Sequence, residues 1–253
     1  MKTTSNTILI TGGGSGIGRG LAEAFHALGN QVIVAGRRPQ VLDETTRANP
    51  GMLSAVLDIE DPAAIRAFAA RITEQHPALN VLINNAGITR RENLKAPPSD
   101  LSDAEAIITT NLLGPIRLTA ALLPHLQKQP RATILNVTSG LAFVPFPQGP
   151  TYSATKAALH SYTVSLRVQL RGTPVEVVEI IPPYVQTELG GPRQASDPRA
   201  MPLKDFIAET MQILENQPDA VENCVEKARF LRFAEATGTF DKALETLAQM
   251  AFD

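Results

Sequence analysis

Short apolar runs alternate along this chain with longer stretches in which apolar residues recur at helical spacing. The runs "TILIT" (7–11), "QVIVAG" (31–36), "LSAVLD" (53–58), "NVLINN" (80–85), "ATILNVTS" (132–139) and "VEVVEII" (175–181) are largely continuous in their hydrophobicity. Strands apolar on both faces belong to a parallel sheet that is covered on both sides. Residues 15–29, 40–48, 62–75, 103–127 and about 152–171 read as the intervening helices. This β-α-β-α order predicts a doubly wound, Rossmann-like α/β sheet with helices on both faces, and such sheets bind ligands at the carboxyl ends of their strands. A chain of 253 residues fits one domain of this kind, spanning 1–253.

Two regions break the rhythm. "LGGPRQASDPRAMP" (189–202) is rich in Gly, Pro and Arg and leads into a helix at 203–216. The segment 188–216 is therefore read as a mobile substrate loop and helix, with a solvated connection as the alternative. Beyond Pro218, "VENCV" is a candidate last strand and the remainder is helical in pattern.

The formal charge of -2, with acidic and basic residues interspersed, offers neither a basic stripe for nucleic acid nor a polybasic membrane anchor. Cys224 is the only cysteine, so no internal disulfide and no cysteine-based zinc site is expected, and no metal is implied. The apolar run near the start is far too short for a signal-peptide core, and nothing approaches about 18 uninterrupted apolar residues. A cytoplasmic protein whose partners are small molecules or its own copies is the expectation.

Directly after the first strand comes "TGGGSGIG" (11–18), opening into a helix. Glycines there let the backbone turn tightly beside a pyrophosphate, which a helix N-terminus attracts through its free N–H groups and dipole. Gly12, Ser15, Gly16, Ile17 and Gly18 are the candidate contacts. A P-loop would need Gly-Lys-Ser/Thr, but Gly18 is followed by Arg19 and Gly20. The hydrolase elbow Gly-x-Ser-x-Gly also fails, because Ile17 stands where its second glycine belongs. At the end of the second strand, where an NAD-selective site carries an acid for the ribose 2′-OH, the chain has Gly36, Arg37 and Arg38. Guanidinium groups there can grip a 2′-phosphate, which favours NADP(H) over NAD(H); the alternative is that one or both arginines simply face water.

The glycine loop, "NNAG" (84–87), Asn111, Ser139 and "YSATK" (152–156) together resemble the short-chain dehydrogenase/reductase family in order and spacing. The resemblance runs from residue 7 to about 190. It implies an oxidoreductase in which Ser139 hydrogen-bonds the substrate oxygen and Tyr152 exchanges a proton with it as hydride passes to or from the nicotinamide. Lys156, one helical turn from Tyr152, would lower the phenol's pKa and bind the nicotinamide ribose. Asn111 would hold a water leading from Lys156 to solvent, or else simply mark a helix kink. The resemblance also implies Asp58 and Ile59 at the adenine, Asn85, Ala86 and Gly87 beside the adenosine ribose, and Pro182, Val185 and Thr187 over the carboxamide. Asp58 also suits a turn or an N-cap, a role for which Asp61 before Pro62 competes. Pro183 departs from the family, which usually has glycine there.

Leu141, Phe143, Val144, Phe146, Tyr184 and Leu189 are candidate walls of an apolar substrate pocket, or core. Arg193 and Arg199 are candidates to hold an acidic substrate. The expected activity is hydride transfer between NADP(H) and a carbonyl/alcohol substrate; the rival is a catalytically silent dinucleotide-binding regulatory or scaffold protein. Too few residues follow Thr187 for the substrate domain of a sugar-nucleotide epimerase. The helices at 103–127 and 152–171 resemble those through which this family forms homodimers and homotetramers.

Overall fold

The computed structural model describes residues 1–96 and 100–250. The apolar runs become β1 (Thr7–Thr11), β2 (Gln31–Gly36), β3 (Leu53–Val56), β4 (Leu79–Asn84), β5 (Ala132–Val137), β6 (Val175–Ile181) and β7 (Glu222–Cys224). They form one parallel sheet in the order β3-β2-β1-β4-β5-β6-β7. The order reverses between β1 and β4, and the crevice outside their carboxyl ends is where a doubly wound sheet receives a ligand.

The helices are α1 (Gly16–Ala27), α2 (Pro39–Ala48), α3 (Pro62–Gln75), α4 (Ser102–Ile108), α5 (Gly114–Leu126), α6 (Pro150–Gln169), α7 (Pro192–Ala195), α8 (Leu203–Asn216), α9 (Glu226–Arg232) and α10 (Phe240–Met250). Side chains alternate faces along each strand, so the sheet feeds two cores. Ile8, Ile10, Val34, Ile83 and Val178 meet α1 and α8 through Leu21, Phe25 and Phe206. Leu9, Ile33, Leu82, Ile134 and Val177 meet α3, α5 and α6 through Phe68, Leu118 and Leu166.

Two expected boundaries move for physical reasons. The stretch 103–127 is α4, a π-turn at Thr109–Leu113 and α5, rather than one helix. Pro115 has no N–H, so the α-type bond to the Asn111 carbonyl four residues back cannot form, and the turn widens. The helix expected from 152 starts at Pro150, a first-turn proline that needs no donor. The run Ser102–Leu126 reaches a mean hydropathy of 1.4, long and apolar enough to span a membrane, yet Ile107, Leu118, Leu122 and Leu126 are wholly buried in the protein. Leu118, Leu122 and Leu126 pack into the core cluster beside the sheet.

Candidate active site

The glycine loop is fastened to the end of β4 before any ligand arrives. The Thr11 hydroxyl accepts the N–H groups of Asn85 (3.0 Å) and Ala86 (3.1 Å), and Asn85 Nδ2 returns a bond to the Thr11 carbonyl at 3.0 Å. Gly16 has φ 51°, a conformation side chains disfavour. A Cβ on Gly18 would lie 2.3 Å from the Gly12 carbonyl oxygen, so α1 can begin this close to the loop only with glycine there. Ser15, the N-cap of α1, makes no side-chain cap bond. This narrow cradle with free donors at a helix N-terminus fits a pyrophosphate. Ile17, half-buried against the α1-side core, anchors the helix start. Thr11 was not among the expected site residues; its signal was a hydroxyl at the last strand position before the glycines.

At the adenosine end, Arg37 is not simply solvated: its Nη1 donates to Glu60 Oε1 at 2.7 Å. Arg38 is the N-cap residue of α2 and has an exposed side chain. Asp58 is exposed and accepts the Glu60 N–H at 3.0 Å, a turn bond, while Asp61 is the N-cap of α3, accepting from Ala63 and Ala64. Asp58 therefore makes a turn just past the carboxyl end of β3. Ile59 is buried against Gly114, whose missing Cβ would sit 2.6 Å from it.

At the catalytic end, Ser139 follows β5 and its hydroxyl accepts the Leu141 N–H at 3.1 Å. The Tyr152 phenol sits near enough to that hydroxyl for Ser139 to favour its ionised form. Burial nonetheless pushes Tyr152 up to about 12, opposed only by Ser139. The lowering expected from Lys156 is not seen in the protein alone, where desolvation of the phenolate dominates. Lys156 is itself buried, drawn down to about 8, and donates from Nζ to the Val137 carbonyl at 2.9 Å; Nζ lies 5.6 Å from the centre of the Tyr152 ring. The start of α6 is held from outside: Glu92 accepts the Thr151 N–H (3.0 Å) and hydroxyl (2.7 Å). Asn111 is fully buried in the π-turn, its amide bridging the N–H (2.8 Å) and carbonyl (2.9 Å) of Ile88 just past Gly87.

Residues after β6 close the other side. Pro182 accepts the Gly140 N–H through its carbonyl, and Val185, buried in the core, bridges to Met201. Thr187 brings Cγ2 to 3.4 Å from the Cβ position of Gly16, so this segment faces the glycine loop. Gln194 of α7 ties it down, donating to the Val185 carbonyl (2.8 Å) and the Thr187 hydroxyl (3.1 Å). Tyr184 and Leu189 are exposed and available as walls. Arg199 forks onto Asp197, so it does not have its charge free for a substrate.

Of the candidate walls Phe143 and Val144, the first is partly buried and the second takes the core alternative. The Phe143 ring stacks edge-on with His160 at 4.7 Å and lies 4.5 Å beneath the Arg232 guanidinium, while Val144 is wholly buried in the cluster around α10. Leu141 stays partly exposed. Behind this lies a network that hydrophobic patterning hid inside "VEVVEII" and "ATILNVTS". Asn84, Asn136, Glu179 and Glu222 share one register row across β4 to β7. Asn84 donates to Asn136 (2.8 Å) and Asn136 to Thr163 (2.9 Å). Glu179, with no exposed surface, accepts the Thr138 hydroxyl at 2.7 Å and His160 Nδ1 at 2.8 Å.

Comparison with known proteins adds the following. The family model described as short chain dehydrogenase matches residues 6–197. The uncharacterized oxidoreductase DltE of Bacillus subtilis is 46% identical over 189 residues, 75% of each chain. The NADP-dependent 3-hydroxy acid dehydrogenase YdfG of Salmonella typhi is 35% identical over 179 residues, 70% of this chain and 72% of its own. A short chain dehydrogenase from Burkholderia cenocepacia, solved in complex with NADP, superposes with a TM-score of 0.81 at 26% identity, over 96% of this chain and 99% of that one.

Proposed function

The chain belongs to the short-chain dehydrogenase/reductase family and is an NAD(P)-dependent oxidoreductase, and from that premise we propose that it uses NADP(H) on a carbonyl/alcohol pair with Tyr152 as acid/base. The observation that carries this reading is the buried Tyr152 phenol beside Ser139, one helical turn from buried Lys156, whose Nζ lies 5.6 Å from the centre of its ring. When bound, the nicotinamide supplies or accepts the hydride, and in its oxidised form adds a positive charge beside the phenol. Ser139 holds the substrate oxygen against Tyr152. With its pKa near 12, Tyr152 keeps its proton throughout the neutral range and is ready to give it to a carbonyl oxygen as that oxygen gains charge. Lys156, fixed between Val137 and the tyrosine ring, holds the ribose hydroxyls and stabilises the phenolate left behind. Because the Asn111 amide is committed to Ile88, a water serving Lys156 would be held by a backbone carbonyl of the π-turn.

NADP(H) is favoured by Arg37 and Arg38 at the end of β2, and by the NADP named for YdfG and for the Burkholderia complex. An acid group on the substrate, as in YdfG's 3-hydroxy acids, would meet Arg193 and Arg91, the latter close enough to Tyr184 for its charge to be felt there. Apolar side chains left exposed on α4 and α6, Ile108, Val164 and Val168, support a homodimer or homotetramer, and a single cysteine suits a cytoplasmic location.

The test is Tyr152→Phe. NADPH-dependent reduction of a panel of aldehydes and ketones should fall by roughly 10²–10⁴ in kcat, with NADPH affinity and thermal midpoint close to wild type. Retention of more than a tenth of the turnover would remove Tyr152 from the acid/base role.

A further inference from the structure

Glu60 lies outside every motif that marks the proposed cofactor site, yet its side chain joins Arg37 to the π-turn that carries Asn111. Its N–H donates to Asp58 Oδ1 (3.0 Å), and its carbonyl accepts Arg117 Nη1 (3.4 Å). Its Oε1 accepts both the Thr110 hydroxyl and Arg37 Nη1, each at 2.7 Å. Thr110 is almost wholly buried in the π-turn next to Asn111, so it fixes the carboxylate whether or not Arg37 is bound. The carboxylate is thus a rigid post, and Arg37, about half exposed, is the flexible partner tied to it.

A guanidinium presents five N–H donors in a planar fork, and its Nε/Nη2 edge is one that grips phosphate bidentately. The recorded bond to Glu60 runs through Nη1 alone. The tie therefore stops Arg37 from wandering in solvent without consuming that edge. Ordering a long side chain in advance removes an entropic cost from binding.

We propose that Glu60 is a specificity-determining positioning residue: it orients Arg37 so that the site selects the 2′-phosphate of NADP(H) over the 2′-hydroxyl of NAD(H). The inference rests on the NADP(H) reading above. It predicts an effect confined to ligands carrying the 2′-phosphate, because the unphosphorylated ribose gains nothing from a prearranged guanidinium.

Dissociation constants for NADPH, NADH and adenosine 2′,5′-bisphosphate, measured by fluorescence and calorimetry on the wild type, Glu60→Ala, Glu60→Gln, Arg37→Ala and the Arg37→Ala/Glu60→Ala double variant, test it. Glu60→Ala should weaken NADPH and the bisphosphate about five- to tenfold and leave NADH within about twofold. Glu60→Gln, which keeps an acceptor oxygen for Thr110 and Arg37, should recover most of the loss. In the Arg37→Ala background, Glu60→Ala should have no further effect. Tighter NADPH binding by Glu60→Ala would make the carboxylate a competitor of the phosphate and overturn the proposal. Equal weakening of NADPH and NADH would overturn it too, reducing Glu60 to a structural role. A wild type that prefers NADH would instead defeat the cofactor reading itself, an outcome visible before any variant is compared.

Discussion

Two acid–base pairs near the proposed cleft share one distance, 2.8 Å, and differ in how far each is cut off from solvent. His160–Glu179 is the floor pair, its carboxylate without exposed surface and bonded to Thr138 just before Ser139; Arg199–Asp197 is the rim pair, in the segment after β6, with its guanidinium about half exposed. A charge in the floor has no water to fall back on, so its partners are obligatory. On the rim, solvent and salt screen the same attraction. Equal geometry thus conceals unequal consequence: the floor pair fixes the backbone leading into Ser139, and the rim pair holds a loop in place.

The strongest way to break this contrast is His160→Ala. It leaves Glu179 with only the Thr138 hydroxyl recorded among its side-chain partners, and unfolding by urea should show a loss of about 3 kcal/mol. Adding Glu179→Gln to that variant should restore part of the loss, because the stranded charge is gone. Turnover should fall as well, since Thr138 precedes Ser139 and Phe143 packs on the imidazole. If His160→Ala cost no more than a change to the rim pair, burial would not be what separates them.

Lys156 supplies the second test, with the sign reversed. Burial lowers its pKa from 10.5 to about 8, so below about pH 8 the folded protein carries an ammonium it would rather not bury. At 1.36 kcal/mol per unit this is a cost of about 3 kcal/mol, and a substitution that relieves it gives back about 1 kcal/mol because the Val137 carbonyl loses its donor. Lys156→Met should therefore stabilise the fold by about 2 kcal/mol at pH 7 while abolishing turnover. Between about 8 and 10.5 the unfolded chain binds more protons than the folded one, so wild-type stability rises with pH and the variant's advantage shrinks. An inactive variant with unchanged stability would mean that the ammonium is better solvated than its burial implies.

The same contrast explains what could be seen in the sequence. The glycine loop, the Ser139, Tyr152 and Lys156 spacing and six strands were legible because they follow from local rules: glycine between strand and helix, side chains one turn apart, continuous apolar runs. The π-turn was legible only as Asn111 and a helix kink, since widening the helix depended on Pro115 four residues later. Glu179 was invisible because one polar position in "VEVVEII" looks like an edge facing water until α6 brings His160 over it. Glu60 and Arg37 are 23 residues apart and meet only because β2 and β3 are neighbours. The packing of Phe143 under Arg232 was hidden because nothing nearby in the chain announces that arginine. What stayed hidden was pairing across the sheet, which no period of 2 or 3.6 encodes.

The smallest effect belongs to the rim and sharpens the contrast most, because it predicts near silence. Asp197 accepts the Arg199 fork at 2.8 to 3.2 Å and the Tyr184 hydroxyl at 3.2 Å. These bonds, the arginine's first, hold its carboxyl down to about 2. A lowered carboxylate contributes stability that is present above its unfolded value of 3.8 and is lost as pH falls through about 2, so the tether is intact at every neutral pH. Asp197→Asn should leave the thermal midpoint within about 1 °C, raise KM for the best carbonyl substrate about two- to threefold by loosening Tyr184, and leave NADPH affinity unchanged. Between pH 6 and 10 the activity profile should bend only where Lys156 titrates, near 8 in the free enzyme, and the bend should sit at the same pH in the variant. A bend displaced by more than half a unit in Asp197→Asn would show that the rim's charge reaches the floor, and the separation of the two regions would then fail at the one place where solvent ought to enforce it.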